Sequence, residues 1–221
     1  MFEQVSRAEP SPDCEFCPRL HDFIAGWRAR EPDWFNAPVP PFLPAEGLAS
    51  ARLLIVGLAP GLRGANRTGR PFTGDYAGDL LYSTLLRYGF AKGVFEARPD
   101  DSLQLVETAI VNAVRCVPPE NKPTTAEIHT CRQFLLPVVH APESLRVIVT
   151  LGAIAHQSTI RGLGLRIKDY PFKHGLASQI PDGPVIVSSY HCSRYNTNTG
   201  VLTTEMFHQV FETARSLIES A

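Results

Sequence analysis

The chain has 221 residues, 44% of them hydrophobic, enough to bury one substantial core, and is most simply a single domain over residues 1–221. Its 21 Lys and Arg balance 22 Asp and Glu, so no global field draws it to a polyanion and any nucleic-acid binding must come from a local basic patch. No apolar run is long enough to span a bilayer, and the start M-F-E-Q-V-S-R-A-E lacks the basic and apolar regions of a secretory signal, which points to the cytoplasm.

Cys14 and Cys17 stand near the start as C-E-F-C, and Cys116 and Cys131 follow far along the chain. In an intracellular protein such a set reads as one metal or cluster site and not as disulfides, because four soft thiolates suit tetrahedral zinc or iron–sulfur. The second pair departs from the C-x2-C spacing of zinc ribbons, which favours a cluster; the bland alternative is a scatter of buried thiols. Residues 31–44, dense in Pro and carrying Trp34, Phe35 and Phe42, read as a long irregular connection.

The first strand is expected over residues 52–57, a near-continuous apolar run of the kind that suits a parallel strand covered on both faces. A glycine-rich loop leads from Gly57 to Asp75. It lacks the Gly-Lys-Ser/Thr ending of a P-loop, and its glycines do not fit the dinucleotide pattern at a strand exit. What it offers is Arg63, Arg67, Arg70, the ring of Phe72 and the carboxylate of Asp75 at a helix start: a kit for gripping a phosphate chain beside a stacked planar group.

A helix is expected over residues 75–88, with Leu81, Leu85 and Tyr88 at helical spacing and Gly89 as its cap. Residues 108–114 form the second strand, whose polar Asn112 opens toward R-C-V-P-P-E-N-K-P at 115–123. The T-T-A-E run at 124–127 resembles a capping box opening a helix that carries Cys131. Strands are expected again over 146–152 and 184–189. Beyond the last comes a polar run from Tyr190 to Thr203, then a helix with Phe207, Val210, Phe211, Ala214, Leu217 and Ile218 in one apolar stripe. This alternation implies an α/β fold, a three-layer α/β/α sandwich around a four-stranded, mainly parallel sheet, with ligand sites beyond the carboxyl ends of the strands. The polar run after the fourth strand is expected to lie beside the first loop.

G-L-A-P-G at 57–61, N-R-T-G-R-P-F-T-G-D at 66–75, N-A-V-R-C-V-P-P-E-N-K at 112–122 and H-C-S-R-Y-N-T-N-T-G from His191 together resemble family 5 uracil-DNA glycosylases, over nearly the whole chain. Family 4 enzymes carry Glu in a G-E-A-P-G form of the first motif, where this chain has Leu58. The resemblance implies a monofunctional, monomeric repair hydrolase that removes uracil, and other deaminated bases such as hypoxanthine, from DNA. It implies a [4Fe-4S] cluster on Cys14, Cys17, Cys116 and Cys131, and a bacterial or archaeal protein of the cytoplasm, associated with the nucleoid during repair. Rival readings are a damaged-DNA-binding iron–sulfur protein without catalysis, and an electron-transfer or redox-sensing protein on a shared scaffold.

The residue chemistry agrees with that resemblance. A base within a duplex is inaccessible, so it must be flipped, read at its edge and stacked on its face. Phe72 is the expected platform, Asn112 offers a donor and an acceptor to the base edge, and Ala59 leaves room in the pocket. Cleavage places positive charge on the sugar and negative charge on the base. Asp75 suits the first, by orienting or deprotonating water or by its field, and His191 suits the second by donating to the uracil O2. Asn121 is a second candidate for holding the water. Ser193, Arg194, Tyr195 and Asn196 should enter the duplex where the base leaves, with Tyr195 as the wedge; here Cys192, Arg194 and Tyr195 replace the Pro, Pro and Leu of the common H-P-S-P-L-N pattern. Arg63, Arg67, Arg70, Lys122 and Arg194 form the expected phosphate patch. The cluster's expected role is structural.

Overall fold

The computed structural model describes residues 9–220. Its strands are β1 (Leu53–Gly57), β2 (Ala91–Lys92), β3 (Gln104–Leu105), β4 (Thr108–Asn112), β5 (Val147–Leu151), β6 (Ala177–Gln179) and β7 (Val185–Ser189). Its helices are α1 (Pro18–Arg30), α2 (Ala65–Thr68), α3 (Tyr76–Arg87), α4 (Thr125–His140), α5 (Ala153–Gly162), α6 (Arg194–Asn198) and α7 (Thr204–Glu219). β1, β4 and β5 are buried at every position, as apolar runs in a doubly covered parallel sheet must be.

The main sheet runs β4-β1-β5-β7-β6. The expected four strands are all present and parallel, and the count is corrected to five: β6 adds an antiparallel edge on β7. Its three residues, Ala-Ser-Gln, are half-buried or exposed. An edge strand held by backbone pairing on one side needs no apolar run, so it left no pattern to read. A separate ribbon, β2 with β3, projects after α3.

Side-chain alternation sorts the two covering layers. Leu53 and Ile55 of β1 face α3 and α7 through Leu81, Leu85, Phe207 and Phe211. Leu54 and Val56 face α4 and α5 through Leu135, Val138 and Ile160. A third, smaller core joins Leu20 and Ile24 of α1 to Phe134 of α4 around the cysteines. The helix boundaries follow their caps: Asp75 opens α3, the Thr124–Glu127 capping box opens α4, and Thr203 opens α7. Among the described residues no helix is long and apolar enough to cross a membrane.

Candidate active site

Strand register builds the floor of the site. β1 and β4 pair with Gly57 beside Asn112 at their carboxyl ends. A Cβ on Gly57 would strike Asn112 Oδ1 and lie 2.7 Å from the Phe72 ring, so only glycine leaves space there. Asn112 is buried, and its Oδ1 has no hydrogen-bond partner among the described residues. Leaving a buried acceptor unpaired costs about 1–3 kcal/mol. Asn112 also lines the cavity, which puts its carboxamide within reach of a ligand.

Phe72 supplies the adjoining wall. Its backbone is left-handed, with φ +53°, a conformation that costs a bulky L-residue about 1–2 kcal/mol. The first turn of α3 presses directly on it, since a Cβ on Gly78 would overlap the Phe72 carbonyl. Three residues on, Asp75 caps α3 by accepting from the Gly78 N–H at 3.3 Å. Its other oxygen lies against the glycine loop, where a Cβ at Gly61 would come within 3.0 Å and one at Gly64 closer still. Burial lifts the Asp75 carboxyl above the usual carboxylate range, only partly offset by the N–H groups of Gly78 and Ala77. A carboxylate with raised proton affinity, held in a cavity, is suited to take a proton from water.

His191 reaches the site from beyond β7 and lies beside the first loop, as expected, although β5 separates β7 from β1 in the sheet. β5 is followed by Gly152, whose φ of +95° favours glycine; a Cβ there would lie 3.5 Å from His191 Cβ, in ordinary van der Waals contact. The His191 and Phe72 ring centroids are 6.0 Å apart, tilted by 30°. Burial drives His191 down to about 4. At neutral pH it is an uncharged imidazole that donates from one nitrogen and accepts at the other.

Phe72, Asp75, Asn112 and His191 line one cavity of about 650 Å³, together with Ala59, Arg63, Asn121, Ser193 and Arg194. Asn121 stands on an exposed turn with left-handed backbone at Glu120 and Asn121. At the mouth, the Arg194 guanidinium lies 5.2 Å from the centre of the Tyr76 ring. Tyr195 is 74% exposed beside it. Sequence reasoning missed Gly57 and Tyr76 as parts of the site. A glycine at a strand exit was a readable sign of close approach; nothing in the sequence announced Tyr76.

Of the other expected site residues, several fall outside the cavity. Arg67 and Lys122 are exposed outside the cavity lining, with Lys122 3.6 Å from Glu120. Asn196 is turned inward, its Nδ2 donating to the His191 carbonyl at 2.8 Å, and Ser193 caps α6. Arg70 is a correction: its side chain is 6% exposed and ion-paired with the fully covered Asp101, so it belongs to the core and not to a phosphate-binding surface.

Behind the pocket wall lie the cysteines. Cys116 and Cys131 are buried, and Cys14 and Cys17 flank them in the same small core, which also contains Ala59 and Leu62 of the cavity lining. The Cys116 thiol is pushed up by burial and then by negative charge on Cys131, Cys14 and Cys17, so all four share one neighbourhood. None forms a disulfide. Among the described residues no three His, Cys, Asp or Glu side chains converge as a single metal ion requires. Arg19, two residues after Cys17, donates to both oxygens of Glu127 at 2.8 and 2.7 Å and to the Lys122 carbonyl at 3.1 Å, tying α1 to the turn that carries Asn121. Cys192 is fully buried against α3, near the Ala77 carbonyl.

Residues 44–215 match the model of the uracil DNA glycosylase superfamily. The chain is 42% identical over 214 residues to a type-5 uracil-DNA glycosylase of Thermus thermophilus, covering 92% of this chain and 93% of that protein. With a type-5 uracil-DNA glycosylase of Pyrobaculum aerophilum it shares 35% identity over 206 residues, 91% of this chain and 88% of that one. A type-4 uracil-DNA glycosylase of Pyrobaculum aerophilum is 32% identical over 125 residues, 56% of each chain. The type-5 likeness therefore covers about nine-tenths of the chain, whereas the type-4 likeness covers about half.

Proposed function

This chain belongs to the uracil-DNA glycosylase superfamily, and from that premise we propose how its residues divide the work of a type-5 enzyme. It removes uracil from DNA by hydrolysing the bond between base and sugar. The observation that carries the reading is the buried Asn112 carboxamide, its oxygen unpartnered among the described residues, in a cavity shared with Asp75 and a neutral His191.

The flipped base enters between Phe72 and the mouth. Asn112 Oδ1 accepts its ring N–H, and the Asn112 N–H₂ donates to the neighbouring carbonyl. As the N-glycosidic bond breaks, its electron pair goes to the base, and His191 donates a hydrogen bond where that negative charge collects. Asp75 faces the sugar, where its charge stabilises the cationic transition state. Water adds to the anomeric carbon and gives its proton to Asp75; Asn121 helps to hold it. The products are free base and an abasic site. An open cavity of about 650 Å³ suits hypoxanthine as well as uracil. Arg63, Arg67, Lys122 and Arg194 contact phosphates, and Tyr195 fills the space that the base vacates.

The donor set fits a [4Fe-4S] cluster: four thiols from three separate segments share one core, and none is spent on a disulfide. When bound, it supplies a cross-link between the N-terminal segment and the 116–131 region and takes no part in hydrolysis. Equal iron and acid-labile sulfide in the purified protein would support this assignment, and zinc in their place would overturn it. The protein acts as a monomer in the cytoplasm, associating with the nucleoid during repair.

The deciding experiment is release of free base from oligonucleotides containing uracil or hypoxanthine, with Asp75→Ala and His191→Ala beside the wild type. Release that falls about 100-fold or more in each variant, while DNA binding survives, is the expected result. Tight lesion binding without release by the wild type would make this a damage reader instead.

A further inference from the structure

Arg70 is held more completely than a structural cation at the edge of a loop needs to be. Its two terminal nitrogens donate to the two oxygens of Asp101 at 2.7 and 2.8 Å, and its Nε donates to Thr73 Oγ1 at 2.8 Å. Three rings surround the guanidinium: Phe42, Tyr82 and Phe95, with centres 5.2, 5.5 and 5.8 Å away. Asp101 also accepts the backbone N–H groups of Glu96 and Leu103 at 2.9 and 3.1 Å, so the pair is anchored in the segment between β2 and β3. Tyr82 donates to the Pro71 carbonyl at 2.5 Å, and the Thr68 hydroxyl lies 3.1 Å from the Thr73 carbonyl. Every fixed point falls on residues 70, 71 and 73. The residue between them is Phe72, the cavity wall with the left-handed backbone.

A buried ion pair adds little net stability over apolar side chains of the same shape. A strained backbone, for its part, persists only where its surroundings over-determine it. We infer that Arg70 and Asp101 are positioning residues for base recognition: their ring-walled ion pair holds the turn that sets the Phe72 ring in the cavity wall. The ribbon of β2 and β3, remote from the chemistry in sequence, is the strut of this clamp. The inference rests on the glycosylase reading and deepens it, since the clamp acts on the base through Phe72 alone.

The test is a double-mutant cycle. Asp101→Asn removes the bidentate pair, and Phe95→Leu loosens one wall should the first variant fold poorly. Each is made alone and with Phe72→Ala, then measured for single-turnover base release, inhibition by free uracil, and binding to abasic-site DNA. The expected result is base release slowed about ten-fold or more and uracil inhibition weakened alongside it, as misplacement of a recognition group predicts, with abasic-DNA binding within about two-fold of wild type. In the Phe72→Ala background the same substitutions should cost almost nothing more. A merely structural role would lower the melting temperature and leave uracil inhibition of the folded protein unchanged. That outcome, or equal losses with and without the Phe72 ring, overturns the clamp. A wild type that releases no base overturns the functional reading itself, and the clamp with it.

Discussion

At the floor of the cavity Gly57, Phe72 and Asn112 are buried, set by strand register and a hydrogen-bonded turn; at the rim Asn121, Arg194 and Tyr195 are exposed on short turns. The floor gains its accuracy from the sheet. Asn112 cannot move without breaking pairing with β1, and Phe72 cannot relax without disturbing α3 at Gly78. The rim has few such restraints, and it is the part that must meet a long, variable duplex. On the proposed reading, recognition of the base falls to rigid elements and engagement of the DNA to exposed turns.

Substitutions at the floor should separate most sharply from those at the rim. Gly57→Ala places a methyl group where Asn112 Oδ1 and Phe72 stand. Base release should drop about 100-fold or more, because even an ångström of misplacement is costly, while the circular dichroism spectrum stays that of the folded sheet. If Gly57→Ala retains wild-type release, the floor is not rigid in the sense argued here.

Asp75→Asn should show a similar loss of rate with an opposite effect on stability. The carboxyl is held above its ordinary range in the folded state, so ionised Asp75 destabilises the native protein above its folded pKa. Asn keeps a capping oxygen without the charge. The variant should melt higher than wild type at pH 7, keep that advantage down to the folded pKa, and lose it as the pH falls on from there to the ordinary carboxylate value, which differential scanning calorimetry would show.

His191 gives the corresponding acid-side signature. Its unfolded imidazole titrates near 6.5 and its buried form near 4, so between those values the unfolded state binds more protons. Its contribution to stability is complete above pH 6.5 and is lost as the pH falls to about 4. Replacing it with Gln should flatten the melting temperature over that window. Activity should fall on the same side, as the neutral imidazole and the Asp75 carboxylate are both protonated.

Smaller effects are expected where the cysteine region meets the rim. Cys116→Ser should loosen the turn at Asn121 through the shared core, cutting base release about ten-fold by position alone, with limited proteolysis detecting the loosened segment. At the far rim, Arg194→Ala should barely alter single-turnover release. It should reduce the slope of log binding constant against log salt by about one. A lost slope at Arg70→Gln as well would contradict its burial beside Asp101.

The four central strands, the caps at Asp75 and Thr124, and the stripe of α7 were all legible in the sequence, because each rests on local periodicity or capping chemistry. So were most cavity residues, since Asp75, Asn112 and His191 lie at or just beyond the ends of predicted elements. Arg70 was misread for a physical reason: a cation in a glycine-rich loop looks the same whether its partner is a phosphate or a carboxylate thirty-one residues away. β6 was missed because backbone pairing at an edge requires no side-chain pattern.

Sequence by itself determined the layered α/β architecture, the end of the sheet at which the cavity lies, and several of the residue types that line it, since these follow from periodicity and from strand ends. Tertiary structure alone decided that His191 reaches across β5, that Asn112 keeps an unpaired oxygen over Gly57, and that Arg70 pairs with Asp101. Each depends on which atoms are absent or present between segments far apart in the chain. Local propensity carries no information about that, and only packing settles it.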